Sequence, residues 1–407
     1  MKHWSHIIAS VALTACLGAC ATVDRGASAD GTTDAETVRA SKLFKQDNVL
    51  ILLSSEQEAN ELTINVSRRG YQLIDRQNLA GLDLILLDFA RPPGISDEVA
   101  VNDMQMMSPA AIVGLDNLYT SQATLTSPPR TFGRDYANEL LGWPTEGCQA
   151  QTPIGIIDGY LSDEMPGLNA KQIVSHNFAR RDAVESKHAE TVASLISGPG
   201  RLRDVMIYSA GVVGESRSGQ SGSGTKELLL AFDWLRKRDV RVVNVSLAGP
   251  YNPLLETVVE LLVNDGMVIV AAVGNEGPNA APRYPAAFDS VIAVTAVDVD
   301  RNVFGGAVQG AHVEYAAPGV DVLIQTGQGS GSYVTGTSFA APFVTAMIAA
   351  DPARSFDASA DSVRSYLDRN AFDLGVAGPD PVFGRGLVRT ANACTLNEVG
   401  GQNGAPS

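Results

Sequence analysis

Positive charge is scarce in this chain. Thirty Lys and Arg face 45 Asp and Glu, a formal net charge of −15 with a pI near 4.8. Binding to nucleic acid, or polybasic attachment to a membrane surface, needs clustered Lys and Arg, so neither is expected. Charged residues make up only 18% against 45% hydrophobic, which excludes a disordered chain. Past the first twenty residues no apolar run is long enough to cross a bilayer, and no internal repeat is present. There are four cysteines and five histidines, so each one that sits near other polar groups bears examination. The 407 residues suffice for one large domain and a smaller one.

Lys2 and His3 precede an apolar run from Ile7 to Leu17, the length of a secretory signal and too short to span. It ends in Gly18-Ala19-Cys20, so residues 1–20 resemble a bacterial lipoprotein leader in which Cys20 is lipidated; the other reading is a plain signal peptide with an incidental cysteine. Ala21 after the cysteine points to the outer membrane. Residues 21–46 are small and polar and read as a tether. Residues 47–118 carry the pattern strand, helix, two strands, helix, strand, expected to close into a small α+β unit of ferredoxin-like type. Residues 119–145, with Pro128-Pro129, are expected to link it to a second domain at 146–395, and 396–407 form a polar tail.

In the second domain, apolar strands alternate with helical patterns, as in an α/β fold with a doubly wound, mostly parallel sheet. Pro153 to Tyr160 reads as a buried strand that delivers Asp158 to the sheet's carboxyl edge, where ligands of such sheets bind. A loop cap is the other role for a carboxylate there. His188 opens the helical stretch HAETVASLISG; it is either solvated or directed at that same edge. Met267 to Pro278 is another buried strand, and glycines on both sides of Asn275 turn the chain so that its amide can donate there. Gly336 to Val344, GTSFAAPFV, runs from a glycine turn into an apolar helix. Ser338 sits on its first turn, where free N–H groups and the helix dipole suit either a cap or a nucleophile.

Asp158, His188, Asn275 and Ser338, in this order, resemble the subtilisin-like serine proteases, the subtilases, and the resemblance covers Pro153 to about Thr390. GTSFAAPFV and AAVGNEGP carry it most strongly; NVSLAGP is similar to the substrate-binding strand and GRGLV to the closing segment. The resemblance implies a serine endopeptidase acting on polypeptides without a cofactor. In it Ser338 attacks, His188 relays the proton, Asp158 orients His188, and Asn275 holds the oxyanion. It further implies substrate contacts at Ser246, Leu247, Ala248 and Gly274, and a propeptide role for the first domain. Arg283, before Tyr284-Pro285, would line the specificity pocket and bias it toward acidic or polar side chains. The chain departs from the family in Gly159, where Ser or Thr is usual, and in Ala189-Glu190, where Gly-Thr is usual. These departures leave open a weakened, peptide-binding pseudoprotease.

The segment SGPGRLRD is too short for the family's usual calcium loop, so no metal is expected. If the first two cysteines leave or are lipidated, Cys148 and Cys394 form an even pair suited to a disulfide in the periplasm. The expected setting is the cell envelope, with Cys20 in the lipid bilayer and the catalytic domain released if the chain cuts itself between its domains.

Overall fold

The structure, a computed structural model, describes residues 48–390 apart from 122–123, 126–134, 166, 169, 180–185, 216–220, 327–329 and 356–358. The leader with Cys20, the tether, Cys394 and the tail lie outside the described residues.

The first sheet has the strand order Gln72–Leu79, Leu84–Ala90, Asn48–Leu53, Ile112–Leu115, every pair antiparallel. Helices Glu56–Ser67 and Asp97–Met107 cover one face. Each begins at a serine, Ser55 or Ser96, whose hydroxyl accepts from an N–H of the first turn, and each has acidic residues in that turn. This is the expected ferredoxin-like arrangement. The first strand is uninterruptedly apolar because both of its faces are buried. Val49, Ile51 and Leu53 pack under the two helices, whereas Leu50 and Leu52, with Leu79 and Leu86, join an apolar cluster that includes Leu228, Phe232 and Leu255. One face of this sheet is therefore closed by the helices Thr225–Arg236 and Pro253–Asn264.

Polar contacts reinforce that packing. Lys226 Nζ bridges Asp75 at 2.7 Å and buried Asp88 at 2.8 Å. The Gly81 N–H donates to Asp233 at 2.7 Å. Asn252 Nδ2 donates to the Leu115 carbonyl at 2.8 Å while its Oδ1 caps helix Pro253–Asn264.

The larger sheet has nine strands. Its order is Ala371–Phe372, Leu387–Val388, Tyr315–Pro318, Ile292–Val297, Val268–Ala272, Val242–Val245, Ile154–Asp158, Val205–Gly211, Ala170–Asn177. All pairs are parallel except the first. Helices Lys187–Ser197 and Thr337–Ala350 contribute to the core on one face, and Thr225–Arg236 and Pro253–Asn264 to the core on the other. Strand order reverses around Ile154–Asp158, and the crevice at such a reversal is where ligands of open α/β sheets bind.

Candidate active site

Asp158 ends the central strand and is 1% exposed. One of its oxygens, Oδ1, accepts the Gly159 N–H at 2.6 Å. His188 stands in the first turn of helix Lys187–Ser197, which is capped by Ser186. Its Nδ1 lies 2.9 Å from Asp158 Oδ1 and 2.8 Å from Oδ2. With Nδ1 donating to a carboxylate, the neutral ring has its lone pair on Nε2, the tautomer a base requires. Nε2 is buried and without a hydrogen-bond partner among the described residues. The ring lies 5.3 Å from that of Phe339, the neighbour of Ser338.

Glycine at 159 has a local cause. A Cβ there would come within 2.3 Å of Ser186 Cβ and 2.4 Å of Ser186 Oγ. The space that a serine at 159 would use is thus occupied by the cap of the histidine's own helix, and the departure at this position follows from that packing. Ala189 is fully buried behind the same turn.

Ser338 is the second residue of helix Thr337–Ala350, 3% exposed, so its N–H has no acceptor within the helix. Pro342 lies four residues further on and supplies no N–H to the Ser338 carbonyl. Ser246 Oγ donates to that carbonyl instead, at 3.1 Å, tying the helix start to the strand Val242–Val245. The Ser338 hydroxyl donates to the Ser246 carbonyl at 3.4 Å rather than to His188. Such bonds are often made only once substrate is bound.

Asn275 is held by Thr337, a residue the sequence reading missed. Its Oδ1 accepts the Thr337 N–H at 2.9 Å and the Thr337 hydroxyl at 2.8 Å. Because a backbone N–H can only donate, the amide oxygen faces Thr337 and the amide nitrogen points the other way. The Thr337 hydroxyl also accepts the Gly274 N–H at 3.2 Å, so one buried threonine joins the asparagine turn to the serine turn. The TS pair of GTSFAAP was visible in sequence, but nothing local showed that the threonine faces Asn275.

The chain itself passes along the cleft. Leu118–Tyr119 pairs antiparallel with Ser221–Gly224, and Thr120 exchanges two 3.0 Å backbone hydrogen bonds with Ala248. Thr124–Leu125 pairs antiparallel with Thr335 and Val334, immediately before the serine turn. Ser246, Leu247 and Ala248 are nearly fully buried, and Gly249 pairs with Tyr284 on its other side. Gly274, at φ +102°, sits under two side chains that close together: Arg283 Nε is 2.9 Å from Glu276 Oε1. The expected cation beside the pocket is therefore charge-matched.

Among the described residues no group of three His, Cys, Asp or Glu side chains could hold a metal ion. The loop after helix Lys187–Ser197 carries a cation of its own in Arg201, which is 4% exposed, 3.1 Å from Asp135, bonded to Asn138 and 5.0 Å over the Phe343 ring. These residues do not fit a calcium ion at that loop.

A doubly wound sheet that brings Asp, His, Asn and Ser to one crevice, with extended peptide along it, defines a serine peptidase of the subtilisin-like class. The profile of the Subtilase family matches residues 159–386, and the chain belongs to that family. It is 34% identical to subtilisin DY of Bacillus licheniformis over 213 residues, which are 50% of this chain and 75% of that one. It is 27% identical to subtilisin E of Bacillus subtilis (strain 168) over 310 residues, 73% of this chain and 78% of the other. It is 30% identical to the minor extracellular protease Epr of the same strain over 242 residues, but these are only 37% of Epr. Among solved structures the fold is similar to fervidolysin of Fervidobacterium pennivorans, a keratinolytic enzyme related to subtilisin. The TM-score is 0.68 at 19% identity, over 86% of this chain and 60% of that one. The chain is a subtilisin-like serine endopeptidase.

Proposed function

We propose that Ser338, His188, Asp158 and Asn275 carry out the peptide hydrolysis, and that the chain cuts itself between its two domains. The Ser338 hydroxyl turns from the Ser246 carbonyl to the free Nε2 of His188 and attacks the scissile carbonyl as the ring takes its proton. Asp158 keeps Nδ1 protonated and stabilises the imidazolium. The Asn275 amide nitrogen and the Ser338 N–H bind the oxyanion. His188 passes the proton to the leaving amine, the acyl-enzyme forms on Ser338, and water activated by the same ring releases the acid. Ser246, Leu247, Ala248 and Gly274 bind the substrate backbone, and Arg283 with Glu276 shapes the pocket.

One observation carries this reading: residues 118–120 and 124–125 pair as a peptide substrate would, the first with Ser221–Gly224 and Ala248 and the second with Val334–Thr335 just before Ser338. Self-cleavage then falls in the linker after Ser121, and the first domain, residues 47–118, stays docked as an inhibitor until it dissociates.

The leader 1–20 suits lipidation at Cys20, which would place the chain at the cell envelope with the first domain anchored and the catalytic domain, 146–395, released by the cut. Among the described residues no helix is long and apolar enough to cross a membrane. We also assign a Cys148–Cys394 bridge. Its support is that Thr390 bonds back to the Leu141 carbonyl at 2.7 Å, which returns the domain's end to the segment leading into buried Cys148. Two titratable thiols in the unreduced, denatured mature protein would exclude it.

The test compares wild type with Ser338→Ala for fluorophosphonate labelling, casein digestion and chain length in membrane and medium. Wild type should label, digest casein and appear as a shortened released form, while the variant does none of these. Equal length and equal membrane retention of both would remove self-processing; absence of labelling in wild type would remove Ser338 as nucleophile.

A further inference from the structure

Asn244 is a polar residue inside the buried strand Val242–Val245, where it is 0% exposed. An amide is costly to bury unless its donors and its acceptor are met, and the partners this one finds lead to Ser338. Its Nδ2 donates to the Ser246 hydroxyl at 2.9 Å, and that hydroxyl donates in turn to the Ser338 carbonyl at 3.1 Å. On the other side, Asn244 Oδ1 accepts from the Thr345 hydroxyl at 3.1 Å. Thr345 follows Ser338 by seven residues in helix Thr337–Ala350, close to two turns, so the two stand on one face of the helix. Every residue of that helix is buried, and only Thr337, Ser338 and Thr345 carry polar side chains. A threonine in mid-helix can satisfy its hydroxyl on the carbonyl four residues back, which for Thr345 is that of Ala341 at 3.1 Å. The contact with Asn244 is additional to that.

The direction of this chain of bonds depends on which way round the Asn244 amide sits. With Oδ1 toward Thr345, Nδ2 donates to Ser246, whose single hydroxyl proton is left for the Ser338 carbonyl that Pro342 cannot serve. With the amide reversed, Oδ1 would draw the Ser246 proton to itself and leave the Ser338 carbonyl buried without a donor. By donating to Oδ1, the Thr345 hydroxyl selects the first arrangement. The carbonyl so held belongs to the same residue as the attacking hydroxyl and the N–H aimed at the oxyanion, and misplacement of such groups by about 1 Å can cost on the order of 10² in rate.

We propose that Thr345 is a positioning residue for the hydrolysis, acting through Asn244 and Ser246 to hold the backbone of Ser338. It touches neither the substrate nor the reacting atoms. The proposal rests on the reading of Ser338 as nucleophile.

The test expresses the full chain with Thr345→Val, which keeps the shape and removes the hydroxyl, or Thr345→Ser, which keeps the hydroxyl. Active sites are counted by fluorophosphonate labelling, and kcat and KM are measured on fluorescence-quenched casein. Thr345→Val should lower kcat about three- to tenfold, the effect of one hydrogen bond, with KM nearly unchanged, and Thr345→Ser should keep most of the wild-type kcat. In a Ser246→Ala background, which breaks the chain at its middle, adding the valine should change kcat by less than about twofold. A valine variant with the wild-type kcat, a serine variant as slow as the valine one, or an equal loss in both backgrounds overturns the proposal. If the valine variant does not fold, Thr345→Ala takes its place under the same criteria. Wild type that fluorophosphonate fails to label removes the reading of Ser338 and the proposal with it, whereas labelled enzyme whose kcat ignores Thr345 removes the proposal alone.

Discussion

Thr337→Val isolates the link between the asparagine and serine turns. Valine keeps the volume and the backbone N–H, so Asn275 Oδ1 retains its 2.9 Å bond to that N–H. Two contacts go: the 2.8 Å bond from the threonine hydroxyl to Asn275 Oδ1, and the 3.2 Å bond in which the hydroxyl accepts the Gly274 N–H. A buried N–H left unpaired costs about 1–3 kcal/mol, so the melting temperature should fall by several degrees. Loss of a whole oxyanion donor costs about 10²–10³ in kcat. Here the donor stays but loses one of two anchors, and the expected fall is about tenfold in kcat with KM nearly unchanged, because the amide works on the transition state. The assay is steady-state hydrolysis of an internally quenched peptide with the sequence of residues 118–125 by wild type, Thr337→Val, Asn275→Ala and the double variant. In the Asn275→Ala background the valine should have little further effect on kcat. A valine that lowers kcat equally in both backgrounds, or that moves only stability, would refute the positioning argument.

Glu276→Gln removes the charge that matches Arg283 at 2.9 Å, so cleavage of a peptide library should gain acidic side chains before the cut; an unchanged profile would show that the guanidinium does not face substrate. Gly159→Ser, although it restores the residue usual in the family, should cost about 1–3 kcal/mol by overpacking against Ser186, and Ser186→Gly should recover much of it. Equal melting temperatures for wild type and Gly159→Ser would contradict this. Docking of the cut first domain should weaken in acid. Burial alone would raise the Asp75 carboxyl, but hydrogen bonds from Lys226 and Gln77 outweigh it and hold the group below 3.8. A depressed acid contributes fully above its unfolded value and loses the contribution as pH falls through its folded one, so the complex should loosen below 3.8. Gel filtration should show the two pieces together at neutral pH and separating in acid, with Lys226→Met already loosened at neutral pH; a variant with the wild-type profile would exclude this bridge.

Much of the fold was written locally. The buried strands that end in Asp158 and lead to Asn275 are continuous apolar runs, and the serine-capped helices carry their acidic first turns in plain view. The four residues proposed for the site stand out because each ends or follows a strand or begins a helix, and such ends lie at one edge of a parallel sheet. Less visible was the meaning of VLILL in the first strand. Its unbroken hydrophobicity signalled two buried faces, but only the assembled chain shows that the second face is covered by the helices Thr225–Arg236 and Pro253–Asn264.

By itself the sequence determined the two sheets, the order of the chemical groups and the family, because these depend on periodicity and on spacing along the chain. Tertiary structure alone decided that Thr337 anchors Asn275, that Ser186 takes the space beside Gly159, that Glu276 matches Arg283 and that the Tyr119 ring lies on Gly249 with its hydroxyl on the Pro250 carbonyl. The partners in each pair are distant in the chain or separated by a turn whose path no local pattern specifies. Hydrogen bonds and steric exclusion act over a few ångströms, so such pairings exist only once the sheet has brought the loops together.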